Sequence, residues 1–448
     1  MSAMIEAVRG RVRLRTRLRR VREAWRSRFP RPLPAWPDPV PGPAGSPQAT
    51  EVSAGRLTVA AGAAGPQGRQ RYERHQPTGR LSLTADPAGG FTWRITRPSD
   101  RVTVVAGRVG CPLDDRQRAV LAKLGAVTCD ASVDDRSETA LAELLAQLAT
   151  TGVVLHAPVP SRLLAPELAA LLRAPLPDRN ADPLVWEIRS VQQRRAALRG
   201  HSPGLADPPT VSALLVTKRP QLAVRAVAAL AAQSYPNLEI VVGLHGVEPP
   251  PSALPSAGRP LRVVTVPAAR CLGEALAEAS AAATGDLVTK VDDDDHYGRE
   301  HIWDLVLARY YSGATVVGKG SEFVYLEPKD LTVRRRMGAE FFTDTVAGGT
   351  IALPRGELVT VGGWPAVPRW VDRALLDRVI AAGGTVYRTH PIGFVYTRHG
   401  DGHTWDAGLG YFLRDPVRKW RGLPPFDEFR RADLSRVGAG RPAGEPAA

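Results

Sequence analysis

Four consecutive aspartates, Asp292-Asp293-Asp294-Asp295, follow the apolar run DLVTKV with no turn residue between. Adjacent carboxylates repel one another, and crowding them at the end of a buried strand costs stability. A divalent cation would offset that cost. In an extended segment alternate residues share a face, so Asp292 and Asp294 point the same way. Two carboxylates leave open positions on Mg²⁺ or Mn²⁺ for phosphate oxygens and water, which is how a metal carries a nucleotide diphosphate. The alternative for an acidic run is a solvated loop, or a cluster of charge ahead of the helix expected over 299–310.

The elements that would position this cluster read clearly. Strands are expected at 211–216, 238–242, 261–266 and 286–291, with helices at 222–233 and 272–283 between them. Alternation at this spacing predicts a mostly parallel sheet with right-handed crossovers. Such sheets bind ligands at the C-terminal ends of their strands, where the aspartates stand. Later elements are a helix over 372–382 and a last core strand over 392–396.

Upstream, residues 55–108 alternate apolar and polar residues between Gly and Pro breaks and read as β-rich. From about 114 the period becomes helical. Helices are expected at 114–124, 137–148, 161–172 and 186–199, with strands at 126–129 and 152–156, so this part is a small α/β unit. It carries no phosphate-binding Gly motif. The loop HSPGLADPP marks a boundary. Residues 30–48 read as an extended Pro-rich linker and are given no fold.

The 448 residues suggest two or three domains. With 44% hydrophobic and 23% charged residues the chain can build packed cores. The 42 Gly and 40 Pro residues imply linkers but neither collagen nor global disorder. No apolar run approaches the ~20 residues of a membrane span, and no secretory leader is expected. Cys111, Cys129 and Cys271 suit a reducing compartment and have no zinc spacing.

The net charge of +14 is concentrated at the N-terminus, where residues 1–31 hold eleven Arg against Glu6 and Glu23. Leu14, Leu18, Val21 and Trp25 share one helical face there. A basic amphipathic helix over 1–29 reads as a peripheral contact with an anionic membrane surface. A solvated helix packed on its own protein is nearly as well supported. Nucleic acid is the least favoured partner, since neither interleaved aromatics nor a reading motif accompanies the charge.

Over residues 211–415 the chain resembles a bacterial family 2 glycosyltransferase of the GT-A fold. VSALLVTKRPQLAVRAVAALAAQSYPNLEIVV resembles that family's first strand, helix and second strand, and GDLVTKVDDDDHYG resembles the strand ending in its metal-binding DXD element. Ala347-Gly348-Gly349-Thr350 and Val361-Gly362-Gly363-Trp364 resemble its acceptor-side region, and Val371-Asp372-Arg373 stands where the family carries its ED-type catalytic motif. The implied fold is α/β: a GT-A nucleotide-sugar-binding domain at 208–415, with a mostly parallel central sheet flanked by helices. It is preceded by a smaller β-rich and α/β accessory domain at 51–205 and followed by a tail at 416–448 whose end is expected to be disordered.

The resemblance implies inverting transfer of a sugar from a nucleotide-sugar to a hydroxyl, with Mn²⁺ or Mg²⁺ held by Asp292 and Asp294. Asp372 is the implied base; as an ordinary first-turn carboxylate it would be favoured there anyway. Thr217, Arg219, Asp292 and Asp293 are the expected donor contacts, and Gly348, Gly349 and Trp364 lie on the acceptor side. Arg270 and Lys290 are candidate phosphate contacts, with solvated surface charge as the alternative. The family's paired base-contacting acids are replaced here by Leu244 and His245, so the nucleotide base stays open, and His245 is a candidate base contact or a loop histidine. Val371 replaces one acid of the ED-type motif. The absence of QxxRW argues against a processive synthase. His399–Trp405 resembles an HTW element of some bacterial members, making His403 a candidate metal or phosphate ligand.

The expectation is therefore a cytoplasmic glycosyltransferase, placed peripherally at the inner membrane face, acting on a glycan, lipid-linked or cell-envelope acceptor. A nucleotidyltransferase is the enzymatic alternative, but VTKRP is not a Gly-rich phosphate loop. A non-catalytic scaffold that kept the fold is the other.

Overall fold

The computed structural model describes residues 52–53, 56–57 and 76–426, apart from 88, 131–134, 160–161, 179, 251–253 and 400–407. The basic segment 1–29, the linker, the distal tail, and His403 with Trp405 lie outside the described residues.

The first part is built on the strands β1 (Thr78–Ala85), β2 (Phe91–Thr96), β3 (Thr103–Arg108), β4 (Ala126–Thr128) and β5 (Val154–His156). They form one sheet in the order β3-β2-β1-β4-β5. The first three are antiparallel, whereas β4 and β5 join in parallel. The helices α1 (Asp115–Leu121), α2 (Asp135–Thr150), α3 (Pro166–Arg173) and α4 (Pro183–His201) accompany them. Helix α3 begins five residues later than its apolar pattern predicts, because Pro166 at the first turn fixes the start.

The second part continues with β6 (Val211–Thr217), α5 (Pro220–Ala231), β7 (Leu238–His245), β8 (Leu261–Val266), α6 (Leu272–Ala281), β9 (Leu287–Val291), β10 (His296–Tyr297) and α7 (His301–Ser312). Then come β11 (Val316–Gly318), β12 (Phe323–Leu326), β13 (Leu331–Arg334), β14 (Phe341–Thr343), β15 (Ala352–Pro354), α8 (Arg355–Thr360), α9 (Val371–Ala381), β16 (Val386–Arg388), β17 (Phe394–Arg398), α10 (Leu409–Phe412) and β18 (Arg418–Arg421). The central sheet runs β8-β7-β6-β9-β15-β11-β16-β14. Strands β8, β7, β6 and β9 are mutually parallel, and β15 pairs antiparallel with β9. A second sheet runs β10-β17-β12-β13-β18. The fold is α/β, with a mostly parallel core sheet flanked by helices.

Strands β6, β7 and β9 are buried almost throughout on both faces, as a sheet covered by helices requires. Strand β7 runs three residues beyond the expected 238–242 and ends on His245. His245 is therefore a buried strand-end residue, not a loop histidine.

Helix α4 joins the two parts. Its Ala196 and Ala197 pack into the core under the first sheet, and Leu198 into the core of the central sheet. Arg194 reaches Glu340 at 2.7 Å, and Arg195 grips Asp304 on α7 at 2.9 and 3.0 Å. Lys319 adds a third contact to the same carboxylate at 2.8 Å. These buried charges are paired and hydrogen-bonded, the condition under which burial is tolerated.

Candidate functional site

Strand β9 delivers the four aspartates to the point where the central sheet hands over to the second sheet. Val291 is in register with Leu215 of β6, and Tyr297, just past the acids, is in register with Phe394 of β17. Parallel pairing brings the C-terminal ends of β6 and β9 together, so the turn after β6 meets the acidic tip. Thr217 donates its hydroxyl hydrogen to Asp293 and accepts the Arg219 amide at 2.8 Å. The Arg219 guanidinium spans both acids: it bonds Asp293 through Nε at 3.2 Å and Asp294 through Nη2 at 2.7 Å.

Burial alternates along the tip. Asp293 and Asp295 are enclosed, whereas Asp292 and Asp294 keep 36% and 14% of their side chains exposed. Asp295 turns inward and accepts the Thr397 amide at 2.8 Å. Tyr297 accepts the Asp292 amide at 2.9 Å and donates to the Gly349 carbonyl at 2.9 Å, which ties the tip to the Gly348–Thr350 turn.

That turn explains two glycines. A β-carbon on Gly349 would stand 2.7 Å from the Tyr297 hydroxyl and 2.8 Å from Asp292 Oδ2. A β-carbon on Gly348 would overlap the Asp372 carboxylate. Both positions need a residue without a side chain because two acidic groups lie against the backbone there. The glycines thus sit beside the candidate metal and base residues.

Lys290 is enclosed between two carboxylates, with Nζ 2.6 Å from Asp292 Oδ1 and 3.5 Å from Asp372 Oδ1. Burial works against its ammonium, but Asp292 and Asp372 outweigh burial and hold its pKa above the ordinary lysine value. Asp372 sits in the first turn of α9, about one-third exposed, and its Oδ1 has no hydrogen-bond partner. Burial raises the pKa of Asp292; Lys290 opposes the shift and Asp372 reinforces it. Asp295 is raised well above the usual carboxylate range by burial, then by Asp292 and Asp294.

The tip fits a divalent cation by its donor chemistry. Four carboxyl groups, Asp292 to Asp294 and Asp372, lie against two cations, Arg219 and Lys290. The surplus consists of hard oxygen donors, which suit Mg²⁺ or Mn²⁺. Among the described residues, no group of three or more His, Cys, Asp or Glu side chains is gathered around a metal-sized point. A cation there would be held by Asp292 and Asp294, with its other positions left to phosphate oxygens and water.

The other candidates are placed differently. His245 Nε2 lies 2.8 Å from the Arg270 carbonyl, closing the ends of β7 and β8 at the same sheet edge as Thr217. The Arg270 side chain is half exposed and paired with Glu274 at 3.1 Å and Glu278 at 3.3 Å on α6. Trp364 is a core residue, 4% exposed, with its indole N–H on Ser280 Oγ at 2.7 Å, and it presents no face to an acceptor. His399 Nε2 lies 3.4 Å from Asp294 Oδ2 and its Nδ1 2.5 Å from Glu327. Sequence reasoning put the imidazole role of that segment on His403 and missed the His399 contact, which only the pairing of β17 with β12 creates.

No family model matches the chain, and no curated protein matches it. Solved structures do. A mannosyltransferase from Pyrobaculum calidifontis, in complex with GDP-Man and Mn²⁺, is 17% identical with a TM-score of 0.35, over 44% of this chain and 59% of that one. TarS residues 1–349 from S. aureus, in complex with UDP-GlcNAc, is 16% identical with a TM-score of 0.33, over 45% and 62%. GalNAc-T7 with UDP, GalNAc and Mn²⁺ is 13% identical with a TM-score of 0.35, over 43% and 45%. The chain thus spans about three-fifths or less of the length of these structures. No helix among the described residues is long and apolar enough to cross a membrane.

Proposed function

We propose that the chain is a metal-dependent, inverting, family 2-like glycosyltransferase that moves a sugar from a nucleotide-sugar donor to a hydroxyl. The observation that carries this reading is the meeting of two acidic groups across one turn: Asp292 against Gly349, and Asp372 against Gly348. In this reading Asp292 and Asp294 hold Mn²⁺ or Mg²⁺, which when bound neutralises charge developing on the departing diphosphate. Arg219, fixed on Asp293 and Asp294, stands ready for the donor's phosphates. Asp372 takes the proton of the acceptor hydroxyl as its oxygen bonds the anomeric carbon. The bond from that carbon to the diphosphate breaks, and its electron pair leaves with the nucleotide. Attack opposite the leaving group inverts the configuration. Lys290, with Nζ 3.5 Å from Asp372 Oδ1, draws that carboxylate toward the tip.

The catalytic unit is proposed at 208–415 and the accessory unit at 51–205. Residues 1–29 are proposed to rest on an anionic membrane at its cytoplasmic face, which would suit a lipid-linked or cell-envelope acceptor. One observation favours a non-catalytic scaffold instead. Where base-contacting acids are expected, Leu244 is buried and His245 is bonded to a backbone carbonyl.

A panel of UDP-, GDP-, CDP- and dTDP-sugars with Mn²⁺, read by release of nucleoside diphosphate, separates the two. The enzyme reading expects release from at least one donor, lowered roughly 10²–10⁴-fold in Asp372→Asn. No release from any donor favours the scaffold.

A further inference from the structure

We infer that Trp370 is the residue on which a sugar ring of the acceptor rests. The inference deepens the glycosyltransferase reading and depends on it. Trp370 is 62% exposed, whereas the core tryptophan of the same segment, Trp364, is enclosed. Trp370 also holds a left-handed backbone, with φ at 62°, immediately before α9. A bulky residue in that region is strained, and glycine would fill the position without cost. Strain of this kind persists where surrounding structure imposes it and gathers at ligand sites. A large apolar ring held in water on a strained turn contributes nothing to the core.

Its position gives it a task. Trp370 stands two residues before Asp372, so their Cα atoms are within about 7 Å of one another. In this inference, a ring that brings a hydroxyl to Asp372 is large enough to reach the indole with its neighbouring face. Trp offers a flat apolar face with a polar edge, which matches the apolar face and polar rim of a pyranose. The charges that flank Trp370 in sequence point to a sugar in preference to a lipid chain. Arg369 is exposed, and Arg373, half exposed, lies 4.0 Å from Asp344 and 2.9 Å from Asp377. A lipid chain laid there would strip water from these charges, which is costly, whereas sugar hydroxyls can hydrogen-bond to them.

The test uses the full chain labelled with 5-fluorotryptophan and ¹⁹F NMR. The chain has nine tryptophans, and the resonance missing from Trp370→Phe identifies the one of interest. The probes are the methyl pyranosides of glucose, galactose, mannose and N-acetylglucosamine. At least one is expected to shift the Trp370 resonance saturably while the buried Trp364 signal stays in place. Trp370→Gly is expected to keep or raise the thermal midpoint.

Silence toward all four pyranosides overturns the inference, as does a response only to phosphatidylglycerol vesicles. A fall of several degrees in Trp370→Gly overturns it too, because the indole would then be packing. Stabilisation of the same sample by Mn²⁺ with UDP or GDP separates the two claims. If it is present while Trp370 is silent, only the acceptor inference fails; if both are absent, the glycosyltransferase reading fails with it.

Discussion

The backbone of Gly348 lies against the carboxylate of Asp372, with no room for a β-carbon between them. The turn that carries Gly348 also carries Gly349, which lies against Asp292. One short segment therefore sets the spacing of Asp292 and Asp372, the acids proposed to hold the metal and to act as base. Gly348→Ala must push Asp372 aside. Turnover is expected to fall at least roughly 10²-fold, the size of effect a misplaced general base produces, with nucleotide binding retained. Gly356→Ala, where a β-carbon meets nothing within 4 Å, is the control. Wild-type turnover in Gly348→Ala would remove Asp372 from the chemistry.

Lys290 supplies positive charge to Asp292 and Asp372 together. Removing one partner of a fully buried pair costs roughly 3–5 kcal/mol. Both acids are about one-third exposed, so Lys290→Met is expected to cost less, about 2 kcal/mol. Mn²⁺ should restore part of this, because a cation on Asp292 replaces the missing charge. Thermal midpoints with and without Mn²⁺ read both effects. A variant as stable as wild type, or indifferent to Mn²⁺, contradicts the account.

Two histidines near the tip are kept neutral. Burial, then Arg225, holds His296 down to about 4, and burial, then Lys319, holds His301 well below the ordinary value. Their folded pKa values are depressed, so the unfolded chain takes up protons first as pH falls. Stability is therefore present above about pH 6.5 and is lost as pH drops toward the folded values. Between pH 6.5 and 5 each such site costs up to about 2 kcal/mol. His301 packs between Tyr297 and Phe394, so His301→Phe keeps the ring contacts and removes the titration. Its urea midpoint should fall less than the wild type's between pH 7 and 5. Equal falls would exclude His301 as a source of the acid sensitivity.

The strands around the tip are legible in the sequence because β6, β7 and β9 are continuous apolar runs bounded by polar turns, a signal carried by neighbours in sequence; their order in the sheet is not. The position of Asp292–Asp295 at a strand end followed from the same pattern. What was illegible depends on distant residues. Nothing local to Gly348 indicates that Asp372 will lie against it. The clasp of Arg219 on Asp293 and Asp294 joins residues 74 and 75 positions apart. Trp364 and Trp370 look alike in sequence, and only the packing buries one and leaves the other in water. Arg194 and Arg195 read as ordinary charge on a helix, yet they reach Glu340 and Asp304 across a boundary the loop at 201–209 marks.

The central claim is that the tip of β9 takes up a nucleoside diphosphate through a divalent cation. Isothermal titration of the full chain with UDP, GDP, CDP, ADP and dTDP, each with Mn²⁺ and with EDTA, tests it directly. The account predicts that at least one nucleotide binds in Mn²⁺ and none in EDTA, that Asp294→Asn abolishes this binding, and that Asp372→Asn retains it. Failure of all five nucleotides to bind in Mn²⁺, or binding of equal strength in EDTA, would contradict the account.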